Sequence, residues 1–208
     1  MPTKTFFRLR DEKQESILRA AIHEFVEHGF DHSKVETIAK NAGVATGSIY
    51  QYFEDKRELF VYCAEWGLDL FMKKIGERSK ITDMDVFEYF NDSITKMELL
   101  SEERELSMFM QSISKEPDLL NDSMKAMYSS GDKYITALLQ TSKIKGVVRN
   151  DIDDDLLKEF FNAVTSRFTA RWSEQYSYIF DTLSEEQNLE MKRELDQMIE
   201  LLKRGIGA

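Results

Sequence analysis

Proline occurs at only two of the 208 positions, Pro2 and Pro117, and this scarcity limits the possible folds more than any other feature of the sequence. Proline interrupts helices because it lacks a backbone donor and fixes φ. Apolar residues elsewhere recur at intervals of three and four, which places them on one face of a helix. The sequence therefore predicts an all-α protein of about nine helices, without repeats.

The first 55 residues carry the boundary signals of a three-helix unit. An apolar stripe predicts a first helix over about 11–28, formed by Ile17, Leu18, Ala21, Ile22, Phe25 and Val26. Gly29 follows where a left-handed cap is favoured. Ser33 and Glu36 have capping-box spacing before a short second helix that Gly43 ends. Thr46 is placed to open a third short helix.

Two short helices joined by a glycine-containing turn predict a helix-turn-helix unit, whose second helix enters the major groove of DNA. Small or polar residues at the start of that helix can approach base edges and phosphates. Gln51 is the best candidate for reading an adenine edge, and Lys56 at the start of the next helix suits a phosphate. The candidate DNA contacts are Thr46, Gly47, Ser48, Tyr50, Gln51, Tyr52 and Lys56. The alternative is a plain packing unit in which the tyrosines are half-buried.

The ordered series of motifs over 17–60 resembles the TetR family of bacterial transcriptional regulators, most specifically in IAKNAGVATGSIYQYFEDKRELF. The resemblance covers about a fifth of the chain. It implies that Ser48, Tyr50, Gln51, Tyr52 and Lys56 match positions that contact DNA in the family, with Thr46 and Gly47 at neighbouring contact positions. Ala45 stands where many members carry a Ser or Thr N-cap, and we therefore expect Thr46 to take over the capping role.

Charge is distributed unevenly along the chain. Residues 1–57 hold nine Lys or Arg and nine Asp or Glu, which leaves 19 basic and 29 acidic residues for 58–208. Residues 58–208 would therefore repel a polyanion, and only residues 1–57 could approach DNA. This pattern argues against an indiscriminate nucleic-acid binder.

The remaining helices form a predicted second domain, 56–208, after a DNA-binding domain over 1–55. The family resemblance implies a cavity in this domain that admits a small apolar or aromatic effector. The candidate lining residues are Trp66, Leu70, Phe90, Met97, Phe109, Met110, Met127, Tyr128, Phe168 and Trp172. The alternative for each of them is ordinary core packing.

The last two helices carry stripes with coiled-coil-like steps of four and three. Two such helices per subunit would form a four-helix bundle across a two-fold axis. The candidate dimer interface consists of Phe161, Val164, Phe168, Met191, Leu195, Met198 and Leu202. The alternative is that both stripes pack within the monomer.

Other classes of function find little support. His23, His28 and His32 lie among carboxylates, but we expect a solvated helix face rather than a metal site, and we predict no cofactor. No phosphate-binding glycine loop or nucleophilic triad is recognisable, so we predict no enzyme. Cys63 is the single cysteine, on an apolar stripe, and an inert buried thiol is expected.

The expected partners and location follow from these features. No run reaches the roughly 18 apolar residues of a membrane span, and the N-terminus has no apolar signal-peptide region, so we expect a cytoplasmic protein. We therefore predict a homodimeric regulator, a repressor that a small-molecule effector releases from an inverted-repeat operator in double-stranded DNA. The alternative is a helical ligand-binding or scaffold protein with a vestigial helix-turn-helix.

Overall fold

The computed structural model describes residues 1–79, 84–95, 103–176 and 184–207. The nine α-helices in these ranges are α1 Asp11–His32, α2 Val35–Asn41, α3 Thr46–Tyr52, α4 Lys56–Ser79, α5 Val86–Thr95, α6 Arg104–Ser112, α7 Pro117–Ile144, α8 Asp154–Tyr176 and α9 Glu185–Ile206. Short 3-10 helices cover Phe6–Arg8 and Ile113–Lys115. The all-α prediction is confirmed. Within the same ranges, no helix has the length and apolar character needed to cross a bilayer.

The chain divides into two compact units. The first consists of Met1–Leu70 and Glu103–Ser130, and the second of Phe71–Glu102 and Gly131–Ala208. The first unit is larger than the domain over 1–55 that the sequence predicts, because α1 packs against α6 as well as against α2. The helix-turn-helix therefore shares a hydrophobic core with helices from later in the chain.

The core of the first unit is aromatic. The ring of Phe60 lies 5.0 Å from that of Phe25 and 4.9 Å from that of Phe109, centroid to centroid, in edge-on arrangements. All three side chains are buried. Edge-to-face pairs add to the gain from burying apolar area, so this cluster ties α1, α4 and α6 together.

The second unit has a separate core built from α5, α7, α8 and α9. It contains Val86, Phe87, Tyr89, Phe90, Leu138, Leu139, Val148, Leu157, Phe161, Phe168, Met191, Leu195, Met198, Ile199 and Leu202. The buried hydroxyl of Ser142 accepts a hydrogen bond from the Val86 amide and donates one to the Leu138 carbonyl. The N-terminus of α9 is capped locally, because Ser184 and Gln187 form a reciprocal capping box.

The connection between α1 and α2 differs in part from the sequence prediction. Gly29 has φ 69° as expected, but helical geometry resumes after it as far as His32. The predicted capping box of Ser33 is wrong, since its hydroxyl donates to the Phe30 carbonyl and Lys34 occupies the N-cap of α2. The buried carboxylate of Glu24 accepts the Lys34 amide instead. A side chain ten residues upstream thus replaces the local cap.

Candidate nucleic-acid interface

The turn between α2 and α3 has the conformation that a helix-turn-helix needs. Gly43 has φ 64°, a left-handed conformation that residues with a Cβ adopt only at a cost. The Val44 amide donates to the Ala39 carbonyl over 2.9 Å and closes the turn. The inward-facing side chains of Ile49 and Phe53 are buried.

The opposite face of α3 is open to solvent. The Tyr50 side chain is 53% exposed, whereas that of its neighbour Ile49 is 2% exposed. Gly47 and Gln51 are also exposed. Thr46, Ser48 and Tyr52 are partly buried at the edges of this surface. The structure therefore brings six of the seven candidate DNA contacts together on one short helix.

The start of α3 corrects one expectation. Ala45 occupies the N-cap with extended backbone, φ −71° and ψ 145°, and makes no side-chain capping bond. Thr46 is the first helical residue, so the expected capping role of Thr46 is wrong. Substitution of an N-cap hydroxyl by alanine typically costs about 1 kcal/mol, and packing of Ile49 and Phe53 must offset this loss.

Lys56 holds the helix-turn-helix together. Its Nζ donates to the backbone carbonyls of Phe30, Asp31 and Ser33 over 2.6, 3.2 and 3.0 Å. It also lies 4.6 Å from the centroid of the Phe30 ring. A lysine ammonium has three donors, and the connection between α1 and α2 uses all of them. The sequence predicts a phosphate contact for this residue and misses its structural role.

Two acidic side chains cap the entry into α4. Asp55 accepts the Glu58 amide over 2.7 Å, and the Glu58 carboxylate accepts the Glu54 amide over 2.6 Å. The Asp55 carboxylate thus satisfies an amide in the first turn of α4 that has no intrahelical partner, and the Glu58 carboxylate binds the backbone just before the helix. This cap stabilises the position of α4 directly after α3, the candidate recognition helix.

Sequence reasoning missed one element of this site, the N-terminal arm (residues 1–10). The Thr3 amide donates to the Tyr52 carbonyl over 2.9 Å, and the Thr3 hydroxyl donates to the Gln51 carbonyl over 2.8 Å. Phe6 is fully buried, with its ring 4.9 Å from that of Phe53. The arm is therefore bound to the C-terminal end of α3. The two consecutive phenylalanines at 6 and 7 were the sequence signal for this contact, because large apolar side chains are not expected in a tail that stays exposed to solvent.

The candidate effector residues are distributed over both compact units. Phe109 belongs to the aromatic core of the first unit, and Phe90 packs on Phe161 in the core of the second, with ring centroids 5.6 Å apart. The other residues described are partly buried (Trp66, Leu70, Met110 and Met127), buried (Phe168) or exposed (Tyr128). Met97 and the side chain of Trp172 lie outside the described part of the chain. Phe90 and Phe109 thus have the core role that the sequence left open.

A groove of about 690 Å³ lies in the second unit, and its lining mixes apolar side chains with several charged ones. Its lining includes Asp85, Glu88, Asp196, Glu200 and Lys203. It contains none of the ten candidate effector residues. An excess of carboxylates does not suit an apolar ligand.

The candidate dimer residues lie in the core of the chain itself. Six of the seven are buried in the second core, and Val164 packs against that core. Within one chain these side chains are already covered by the core of the second unit. Exposed apolar residues lie elsewhere on the same two helices: Leu156, Phe160, Leu189 and Leu201. Monomer packing, the alternative left open by the sequence, accounts for both stripes.

Chemistry outside DNA binding is sparse. Cys63 is completely buried, and the burial raises the pKa of its thiol, which keeps it protonated and unreactive. The His23 ring is paired with the Glu105 carboxylate, which raises the pKa of the imidazole. Across the residues described, no three His, Cys, Asp or Glu side chains are grouped so that they could hold a metal ion.

The glycine turn, the buried inner face and the exposed outer face of α3 define a helix-turn-helix DNA-binding unit. The model of the bacterial regulatory proteins of the tetR family matches residues 17–63. Over residues 17–63, the chain is therefore similar to the TetR family of transcriptional regulators.

Curated relatives share the sequence most clearly in the N-terminal part. The chain is 28% identical over 145 residues to the fatty acid metabolism regulator protein of Bacillus subtilis, covering 64% of this chain and 71% of that protein. It is 47% identical over 49 residues to the transcriptional repressor BepR of Brucella suis, covering 24% of this chain and 23% of that protein. The alignments span less than two thirds of several other relatives.

Solved structures share the fold along nearly the whole chain. The fatty acid degradation regulator FadR from Bacillus halodurans superposes with a TM-score of 0.64 at 22% identity, covering 94% of this chain and 96% of that one. The transcriptional regulator FadR from Bacillus subtilis in complex with stearoyl-CoA gives a TM-score of 0.56 at 22% identity, with coverages of 92% and 98%. At this identity the likeness concerns the fold alone.

Proposed function

We propose that this regulator is a cytoplasmic, homodimeric repressor that binds an inverted-repeat operator and leaves it when a small apolar effector binds. The observation that carries the proposal is the division of α3 into two faces. Ile49 fixes the helix from within, and Tyr50 and Gln51 project from the opposite, solvent-exposed side. A helix presented in this way fits the major groove.

Within the proposed complex, the residues of α3 have different roles. Gln51 can make two hydrogen bonds to an adenine edge, which distinguishes bases. Gly47 allows close approach of the backbone, since nothing lies within 4 Å of the position where its Cβ would be. Ser48 and Tyr50 hydroxyls suit phosphate oxygens, which position the protein without reading sequence.

The dimer, in this proposal, uses the exposed sides of α8 and α9. Leu156, Phe160 and Ala163 are exposed and separated by four and three residues, so they form an apolar stripe along the outside of α8. Leu201 is 71% exposed on α9. A two-fold axis would pair each of these surfaces with its own copy, and two recognition helices could then enter major grooves about 34–36 Å apart.

Release by an effector requires an element that both the DNA site and the ligand site influence. Helix α4 begins at Lys56 directly after α3, and its residues contribute to both compact units. The proposed effector favours a dimer in which the two α3 helices are not separated by the distance that DNA requires. Such a ligand would weaken DNA binding, typically by a coupling of about 1–3 kcal/mol. Because one curated relative is a fatty acid metabolism regulator, long-chain acyl-CoA compounds are the first probes, followed by aromatic metabolites.

The test of this function is in vitro selection from a library of random duplexes with the full-length protein. A dimeric regulator is expected to enrich an inverted repeat, and reciprocal titration should show that a true effector binds the DNA complex more weakly than the free protein. A protein that enriches no sequence and shows no salt-dependent preference would support the alternative, a ligand-binding or scaffold protein with a vestigial helix-turn-helix.

A further inference from the structure

The N-terminal arm is attached to the recognition helix at two levels. Thr3 caps the last carbonyls of α3, those of Gln51 and Tyr52, through its hydroxyl and its amide. Three residues later, the buried Phe6 ring packs against Phe53 and lies 5.6 Å from the ring of Tyr62. Both attachments fix the backbone of the arm at Thr3 and Phe6, next to the C-terminal end of α3.

Four of the nine cations within residues 1–57 are occupied by contacts within the protein itself. Lys13 donates to the Ala42 and Gly43 carbonyls, and Lys56 to the α1–α2 connection. Arg19 pairs with Glu15 and Glu103, and Arg57 with Asp122. The five cations of this segment that make no described side-chain contact are Lys4, Arg8, Arg10, Lys34 and Lys40. Three of these five lie on the arm.

The arm also brings the net charge of residues 1–57 from −3 to zero. It carries three basic and no acidic side chains, whereas residues 11–57 carry six basic and nine acidic ones. Without the arm, the segment that holds the recognition helix has a net charge of −3. Such a surface would repel the phosphates that α3 must approach.

We propose that the arm binds the phosphodiester backbone of DNA through Lys4, Arg8 and Arg10 while α3 occupies the major groove. This inference rests on the proposed function, and it assigns to the arm most of the free positive charge that draws this segment to DNA. Arg8 ends the 3-10 helix and Arg10 is the residue before α1, so the three cations lie along a short, backbone-fixed segment. Their side chains are exposed.

The test compares two full-length variants with equal loss of charge. The arm variant carries Lys4→Ala, Arg8→Ala and Arg10→Ala, and keeps Thr3 and Phe6, which attach the arm. Arg10 makes no side-chain capping bond to α1, so its replacement removes no cap. The matched control carries substitutions of three exposed cations on later elements of the first unit: Arg104→Ala, Lys115→Ala and Lys125→Ala.

The probe is the duplex enriched by the wild-type protein in the selection, titrated between about 0.05 and 0.3 M salt. Each phosphate contact contributes a slope of about −0.9 to log K against log[salt]. The arm variant should therefore lose about 5 units of slope per dimer if all six cations act. The control variant should keep the wild-type slope. Urea unfolding and sedimentation of both variants check that fold and assembly are intact.

Several outcomes would overturn the inference. An arm variant with the wild-type slope, or a control variant with the same loss, would show that the arm makes no phosphate contacts of its own. An altered enriched sequence at unchanged slope would assign the arm to base reading instead. Wild-type protein that enriches no duplex would contradict the proposed function and the role of the arm together, whereas the first two results contradict the arm's role alone.

Discussion

At the residue scale, the recognition segment separates side chains that hold the fold from side chains that are free to meet DNA. Lys56 and Ile49 belong to the first group, because Lys56 donates hydrogen bonds to three backbone carbonyls and Ile49 is buried. Gln51 and Tyr50 belong to the second, since both are exposed on the outer face of α3. Substitutions in the two groups should therefore be distinguishable by what they change.

Lys56→Ala should lower the free energy of unfolding by about 1–3 kcal/mol, because partly buried carbonyls lose their donor. Chemical denaturation with urea measures this loss. Lys40→Ala, which replaces an exposed cation on α2, is the matched control and should leave stability nearly unchanged. If Lys56→Ala instead leaves stability intact and lowers the salt slope by about one unit, the lysine acts as a phosphate contact.

Gln51→Ala should reduce discrimination between the enriched operator and single-base variants by about 1–3 kcal/mol at the position that the amide reads. Competition titrations with duplexes that differ at one base pair measure this change. Gln140→Ala removes an exposed glutamine from α7 and should leave discrimination unaltered. Equal weakening on every duplex would mean that Gln51 positions the helix without reading bases.

At the scale of the element, the sequence predicts where helices end better than it predicts which residues contact them. Positive φ at Gly29 and Gly43 follows from local chemistry, so a sequence pattern could predict it. The Lys34 amide is satisfied by Glu24 ten positions upstream, and no local signal announces such a partner. Stripes on α8 and α9 predict a buried face but cannot say whether the cover is the same chain or a second copy.

The contact between α1 and α6 should depend on pH through His23. Its pairing with Glu105 raises the folded-state pKa above the ordinary 6.5, with smaller contributions from Glu27 and Glu24. A raised folded-state pKa means that the stabilisation is fully present below the unfolded value and is lost as pH rises through the folded one. Wild-type protein should therefore lose stability between pH 6 and pH 8.5 relative to a His23→Gln variant.

Urea unfolding at the two pH values measures this difference, which surface exposure keeps modest. Glu105→Gln should abolish the same component, because either substitution removes the pair. If the two variants retain the wild-type pH dependence, the contact does not contribute to folding in solution.

At the scale of the whole molecule, burial decides which apolar residues remain for assembly. Phe160→Glu together with Leu201→Glu places charges on the exposed sides of α8 and α9, and the variant should sediment as a folded monomer because the proposed interface cannot cover them. Leu195→Glu is the contrasting variant. It buries a carboxylate in the core of one chain, where Leu195 is 0% exposed, and should unfold the second unit. A double variant that remains dimeric at micromolar concentration would place the interface elsewhere.

Sequence-specific recognition of DNA is the central claim, and a ratio of two affinities tests it most directly. The full-length protein is titrated at physiological salt against its enriched inverted repeat and against a duplex of the same composition with both half-sites scrambled. The enriched duplex should bind at least about 10³-fold more tightly. Equal affinity for the two duplexes, or no measurable binding to either, would contradict it.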